Sequence, residues 1–144
     1  MTTSDGHDER VHDVAAQVRA LLASRQSAHI DKGGVHHVVP LAGADGRFAG
    51  RRIDVAPLHH LLELDVARRR CVVEPGITFR DLVAATLPHG LVPAVVPELE
   101  GITVGGAVAG CAVESGSFRY GGFHDTSLEY DAVTGTGDVV TCSP

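Results

Sequence analysis

The feature that most constrains this chain is a stretch of small residues from Thr103 to Gly110, which reads Thr-Val-Gly-Gly-Ala-Val-Ala-Gly. Glycine has no Cβ atom, so the backbone there can approach a neighbour closely and can adopt left-handed φ angles. A helix that opens at Thr103 or Val104 would offer its first N–H groups to an anionic or carbonyl-rich ligand. Alternatively, the small residues let a helix cross another element at short distance. The stretch alone leaves both interpretations open.

Composition and charge narrow the class of protein. The chain of 144 residues is long enough for one domain with a core, and 44% of it is hydrophobic. No apolar run reaches the roughly 18 to 20 residues that a membrane-spanning helix needs, and the N-terminus is polar and acidic, unlike a secretory signal. We therefore expect a cytoplasmic globular protein. The net charge of −6 and the short basic groups Arg51–Arg52 and Arg68–Arg70 argue against nucleic acid as a partner.

Cysteines and histidines give no sign of a metal centre. Cys71, Cys111 and Cys142 are far apart and form no Cys-x-x-Cys spacing, so we expect reduced and mostly buried thiols. The histidines include two adjacent pairs, His36–His37 and His59–His60. Adjacent residues of a strand point to opposite faces, so neither pair is arranged to chelate one ion. The prediction is surface histidines and no bound metal.

Local patterns predict short helices alternating with short strands. Apolar residues at helical spacing predict an amphipathic helix from Asp8 to Ala23. Thr78, three residues before Asp81, is a typical N-cap and opens a second helix that ends at Pro88. The apolar stripe of the first helix comprises Val11, Val14, Ala15, Val18, Leu21 and Leu22.

Strand signals are short and are separated by turn residues. Gly135-Thr136-Gly137 is a turn signal between two β-branched runs and predicts a β-hairpin. A basic turn joins a predicted antiparallel pair, Leu64–Asp65 with Cys71–Val73. The remaining expectations are strands at Val35–Val39 and Arg52–Val55, an exposed loop at Leu41–Gly50, and a helical turn at Pro57–Leu62.

Several motifs follow one another in the order V-E-P-G-I-T (73–78), L-V-P (91–93), V-P-E-L (96–99), T-V-G-G (103–106) and E-S-G-S-F-R-Y-G (114–121). This order resembles the FAD-binding domain of the vanillyl-alcohol oxidase and p-cresol methylhydroxylase (PCMH) superfamily of flavoproteins. Within it, the chain resembles the delta24-sterol reductase branch. The resemblance runs from Lys32 to the C-terminus. It implies an α+β, PCMH-type FAD-binding domain at 28–144, incomplete at its C-terminus and preceded by the helix at 1–27, so we expect an N-terminal fragment.

On the matching positions, the resemblance implies two cofactor-binding segments. In the first, beside the flavin ring and pyrophosphate, N–H groups near Thr103, Val104, Gly105 and Gly106 would act as donors. In the second, which begins at Glu114 and ends at Gly121, main chain and hydroxyls would contact the ribityl and phosphate region. The implied cofactor-binding residues are Pro97, Glu98, Leu99, Thr103, Val104, Gly105, Gly106, Gly110, Glu114, Ser115, Ser117, Tyr120 and Gly121.

The residues themselves leave alternatives in the second segment. Ser115 and Ser117 are also compatible with a solvated Gly-Ser turn, and Tyr120 with a core aromatic. The Glu114 side chain should point away from a pyrophosphate. The nearest match to the first phosphate loop of the superfamily is the segment 32–37, Lys-Gly-Gly-Val-His-His.

The resemblance also implies a function. FAD would be held noncovalently, with NADPH as a possible electron donor, and flavin hydride transfer would reduce a carbon–carbon double bond of a small or lipid substrate. No catalytic residue is identified, and a further domain or chain would complete the site. Two other functions remain: an FAD-linked oxidase of a hydroxy acid or sugar, and a non-catalytic flavin-binding remnant or subunit.

Overall fold

A computed structural model describes residues 3–32 and 50–144, with side chains from Gly6 onward. Within these ranges the chain combines helices and short strands, so the predicted α+β class is confirmed. The helices are α1 Thr3–Ser24, α2 Phe79–Thr86, α3 Val104–Ala109 and α4 Ser117–Tyr120, with 3-10 turns at Leu87–His89 and Phe123–Thr126. The strands are β1 Ala28–Asp31, β2 Arg51–Asp54, β3 Leu61–Asp65, β4 Arg70–Val73, β5 Tyr130–Val133 and β6 Val139–Cys142.

Some expectations lie outside the described residues. They are the strand at 35–39, the loop at 41–49 and the phosphate-loop candidate after Lys32. None of the helices in the described ranges is long and apolar enough to cross a lipid bilayer.

The chain divides into two compact units. The discontinuous unit consists of Met1–Pro57 together with Glu129–Pro144, and the continuous unit is Leu58–Leu128. The expected boundary between residues 27 and 28 stays a prediction.

Helix α1 confirms the predicted amphipathic helix and starts five residues earlier, at Thr3. Val14, Ala15 and Leu21 are buried, whereas Leu22 is 57% exposed, so the buried stripe is narrower than predicted. The helix ends where Arg25 adopts a left-handed φ of 52° and its N–H donates to Leu22 O at 3.2 Å.

Helix α1 holds the discontinuous unit together. Gln17 accepts a hydrogen bond from the N–H of Asp54 at the end of β2 (2.8 Å), and Arg19 donates to the carbonyl oxygen of Gly137 (2.7 Å). Gly137 is the turn of the predicted hairpin, which is confirmed as antiparallel β5–β6, and its φ of 82° favours glycine. Strand β2 confirms the prediction at 52–55 and pairs in parallel with β1.

The continuous unit begins with the predicted antiparallel pair, now β3–β4, in which Leu64 faces Cys71 and Asp65 faces Arg70. The helical turn predicted at Pro57–Leu62 is wrong. Residues 58–60 have no helical structure and lead into β3. The carbonyl oxygen of His60 accepts from the N–H of Glu74 at 2.8 Å, and that of Leu58 accepts from Gly76 at 2.6 Å. Local periodicity misses this pairing because the partners follow β4, on the other side of a hairpin.

Helix α2 begins as predicted at the N-cap Thr78. Its hydroxyl oxygen accepts from the N–H of Asp81 (3.1 Å) and the hydroxyl donates to the Asp81 carboxylate (2.7 Å). Phe79, the first residue of α2, then meets Phe123 edge to face, with ring centroids 5.0 Å apart. Val95 and Ala107 complete this core. Helix α3 therefore packs on an aromatic pair through Ala107.

Candidate functional site

All the predicted cofactor-binding residues lie in the continuous unit. The two segments share one core, because Ala107 of α3 and Phe123 just after α4 belong to the same buried cluster. A Cβ added at Gly116 would lie 3.1 Å from the carbonyl oxygen of Ala94, three residues before Pro97. The structure therefore brings the two predicted segments together.

Helix α3, which we call the glycine helix, begins at Val104 after an N-cap at Thr103, whose hydroxyl oxygen accepts from the Gly106 N–H at 3.2 Å. The N–H of Val104 donates to Ile77 O (3.0 Å) and that of Gly105 to Pro75 O (2.8 Å). Each of these three N–H groups is therefore already used within the chain. Their donation to a ligand stays a prediction, and it would require these intrachain bonds to be shared or broken.

Gly105 and Gly106 have different surroundings. A Cβ on Gly105 would lie 2.6 Å from the Cβ of Pro75, which is too close for any side chain. The small-residue packing considered for this stretch therefore explains Gly105. Gly106 is exposed, so it leaves bare backbone at the surface of the glycine helix.

The segment before the glycine helix is fastened to the start of α2. The N–H of Phe79 donates to Ile102 O (2.9 Å), that of Arg80 donates to Glu100 O (3.0 Å), and the Arg80 and Glu100 side chains form an ion pair. The hydrogen bond from Arg80 lowers the pKa of Glu100. Within this segment Pro97 is buried, while Glu98 and Leu99 are exposed.

Residues Glu114–Ser117 form a turn that we call the serine turn. The Ser117 hydroxyl oxygen accepts from the Glu114 N–H at 2.9 Å, and the Ser117 N–H donates to Glu114 O at 2.8 Å. Ser117 thus stabilises the turn itself. Ser115 is exposed, and its hydroxyl has no hydrogen-bond partner in the described part of the chain. Phe118, the next residue after the turn, is 92% exposed.

Tyr120 and Gly121 end the second segment. Tyr120 is about half exposed, so the alternative of a core aromatic is wrong, and the guanidinium carbon of Arg119 lies 5.4 Å from its ring centroid. Gly121 has a φ of 78°, and a Cβ there would collide with the carboxylate of Asp125. That carboxylate accepts from the Gly122 N–H at 2.8 Å. Backbone geometry therefore accounts for Gly121.

Sequence reasoning missed a buried carboxylate beside this site. Glu74 is 0% exposed, and among the described residues it is the one side chain of an ionisable type that is buried. Its Oε2 accepts from the backbone N–H of His60 (2.8 Å) and lies 2.6 Å from the His60 Nδ1. The signal was an acid between Val73 and Pro75 in an otherwise apolar stretch. The His59 and His60 rings stack with centroids 4.3 Å apart, so their expected placement on opposite faces is wrong, because both precede β3.

The three cysteines are free thiols, as expected, but they are not buried. Cys71 and Cys111 are exposed and Cys142 is half-buried, because the paired strands and the end of α3 leave these positions near the surface. Partial burial of the sulfur atom still raises the pKa of the Cys71 thiol. In residues 3–32 and 50–144, no group of three His, Cys, Asp or Glu side chains is placed to hold a metal ion.

Comparison with known proteins gives a consistent result. A family model described as "FAD binding domain" matches residues 9–143. The chain is 38% identical over 93 residues to a delta(24)-sterol reductase homologue of Caenorhabditis elegans, a match that covers 65% of this chain and 18% of that protein. It is 30% identical over 139 residues to the delta(24)-sterol reductase of Homo sapiens, covering 96% of this chain and 27% of that protein.

A solved structure shares the fold. The crystal structure of 6-hydroxy-D-nicotine oxidase from Arthrobacter nicotinovorans superposes with a TM-score of 0.70 and 23% identity, covering 92% of this chain and 28% of that one. The predicted PCMH-type fold is thereby confirmed. This chain spans between 18% and 28% of the length of these proteins.

Proposed function

The chain belongs to the FAD-binding domain family, and from that premise we propose that it holds FAD noncovalently as the cofactor module of a flavin-dependent reductase of carbon–carbon double bonds. The family match over residues 9–143 is the observation that carries this proposal. The finer assignment is supported by two relatives named as delta(24)-sterol reductases or homologues. Because the chain covers only 18% and 27% of them, their activity is proposed here for the whole protein to which such a module contributes.

The residues of the continuous unit fit this cofactor. Gly106 presents bare backbone on a helix whose other face is fixed to the aromatic core, and a flat ring system can lie against such a surface. Ser115 offers an exposed hydroxyl that can donate to a phosphate or a ribityl oxygen. The flat surface would thus come from the glycine helix and the polar contacts from the serine turn.

The chemistry divides between cofactor and chain. FAD, when bound, supplies hydride acceptance and donation at N5, and we propose NADPH as its electron donor. The chain binds and orients the cofactor: Phe79 and Phe123 support the glycine helix, and Ser117 holds the turn that presents Ser115. The proton that completes addition to a double bond is assigned to no side chain of the described residues.

The test is a visible spectrum of the purified chain after incubation with FAD and removal of free ligand. Retained flavin absorption, with bands at about 370 and 450 nm, supports the proposal, and NADPH added without oxygen should then bleach the second band. Gly106→Val should remove the retained absorption, because the added methyl groups would occupy the bare surface. Gly135→Val is the matched control, since Gly135 has open space around it in the other unit. Full retention by Gly106→Val would refute the assignment of this surface.

A further inference from the structure

Glu74 has a fully buried carboxyl group that the proposed function does not yet use. A carboxylate loses strong hydration when it is buried, so a fully buried Glu needs compensating hydrogen bonds. The His60 backbone N–H donates one of them at 2.8 Å, and the His60 ring Nδ1 lies within hydrogen-bond distance of the same oxygen, at 2.6 Å. The Glu74 N–H returns a third bond to His60 O at 2.8 Å. Glu74 and His60 are therefore locked to each other through backbone and side chain.

This pair connects directly to the glycine helix. Pro75 follows Glu74, and its carbonyl oxygen accepts from the Gly105 N–H at 2.8 Å while its ring fills the space where a Gly105 side chain would be. Two residues further on, Ile77 O accepts from the Val104 N–H at 3.0 Å. The segment that follows Glu74 is thus hydrogen-bonded to the first turn of the helix that exposes Gly106.

His60 is the accessible member of this pair. Its side chain is 47% exposed, whereas the Glu74 side chain is fully buried. A Nδ1–H that donates to the carboxylate fixes the ring tautomer and orientation. An exposed ring can be replaced without opening a hole in the core, so its contribution can be measured separately from folding.

We propose that His60 and Glu74 act as a positioning pair that holds the first turn of the glycine helix, through Pro75 and Gly105, in the conformation that binds FAD. The proposal rests on the proposed function, but its mechanical part concerns the protein alone. Neither residue contacts the cofactor in this account.

The experiment combines two measurements on wild type and variants of the full chain. The first is the dissociation constant for FAD, and the second is amide hydrogen exchange at Gly105 without FAD, measured by NMR. The buried amide of Leu82, which donates to Thr78 O at 2.9 Å in α2, serves as an internal reference for global unfolding. His60→Ala removes the ring donor, and His60→Asn restores an N–H near the position of Nδ1.

His60→Ala should weaken FAD binding by about tenfold or more, the size expected from losing a hydrogen bond to a charged group. It should also accelerate exchange at Gly105 more than at Leu82. His60→Asn should recover most of both effects, whereas His59→Ala, which removes the stacked ring but leaves the His60–Glu74 bonds in place, should change neither. Glu74→Gln keeps an acceptor but loses the charge, so it should give an intermediate effect.

The outcomes separate the two ideas. Unchanged Gly105 exchange and unchanged FAD affinity in His60→Ala would overturn the positioning role, as would equal acceleration at Gly105 and Leu82 or a failed rescue by His60→Asn. If wild type binds no FAD while Gly105 exchange still depends on His60, the proposed function fails and the mechanical connection stands.

Discussion

The glycine helix and the serine turn are neighbours in one unit, yet they use their backbones in different ways. In the glycine helix, the N–H groups of Val104 and Gly105 donate to the carbonyl oxygens of Ile77 and Pro75, and Ala107 is buried. In the serine turn, Ser117 bonds to Glu114 of the same turn, while Ser115 and the following residue Phe118 are exposed. The difference teaches that a glycine-rich stretch can be required by packing, while the groups available to a ligand lie in the adjacent turn.

This contrast has an energetic side. Substituting a residue that hydrogen-bonds to or packs tightly against other parts of the fold lowers the free energy of unfolding. Water cannot replace the buried hydrogen bonds and tight contacts that are lost. Exposed residues contribute little to stability and are free to serve binding. Substitutions in the glycine helix should therefore act mainly on folding, and those in the serine turn mainly on affinity, with Gly106 as the exception inside the helix.

The largest expected effect comes from removing the support that both regions share. Phe123 is 8% exposed, contacts Phe79, and its N–H donates to Ala112 O at 2.9 Å. Phe123→Ala should lower the free energy of unfolding by about 3–5 kcal/mol, measured by urea denaturation. Phe118→Ala is the matched control and should cost less than about 0.5 kcal/mol, because Phe118 is already solvated. Equal losses in both variants would contradict the assigned core.

A smaller effect separates the two adjacent glycines. Gly105→Val should destabilise the chain by about 1–3 kcal/mol, since its new side chain must displace Pro75. Gly106→Val should leave the free energy of unfolding within about 0.5 kcal/mol of wild type. Thermal or urea unfolding of both variants checks this, and a stable Gly105→Val protein would show that Pro75 does not fill the space beside it.

The smallest effects distinguish the two serines of the turn. Ser117→Ala removes the acceptor of the Glu114 N–H and should cost about 1 kcal/mol of stability. Ser115→Ala should cost less than about 0.5 kcal/mol but should raise the dissociation constant for FAD. Urea denaturation measures the stability of both variants, and a flavin titration of the same samples measures their dissociation constants for FAD. The reverse pattern would assign the structural role to Ser115 and the binding role to Ser117.

Features encoded by neighbouring residues could be predicted from the sequence. Thr78 and Asp81 predicted the start of α2, and the residues from Gly135 to Gly137 predicted the β5–β6 turn. Caps and tight turns depend on residues within a few positions of each other. The order of the motifs was enough to indicate the family.

Features that depend on distant partners could not be predicted. The segment after Pro57 is extended because Glu74 and Gly76 bond to it, and no local pattern reports that pairing. The role of Gly105 depends on Pro75, thirty residues earlier, so composition alone could not separate packing from ligand contact. Burial of the Glu74 carboxylate likewise became visible only with its partner in place.

The bond from Arg19 to the carbonyl oxygen of Gly137 joins positions 118 residues apart. A ribosome adds residues one at a time, at roughly 5–20 per second. Several seconds therefore pass between the synthesis of α1 and the synthesis of the hairpin that packs against it. The continuous unit needs no such delay, because it consists of consecutive residues from Leu58 to Leu128. During synthesis, therefore, the middle of the chain can close first, and the apolar stripe of α1 is the surface that a chaperone would find uncovered.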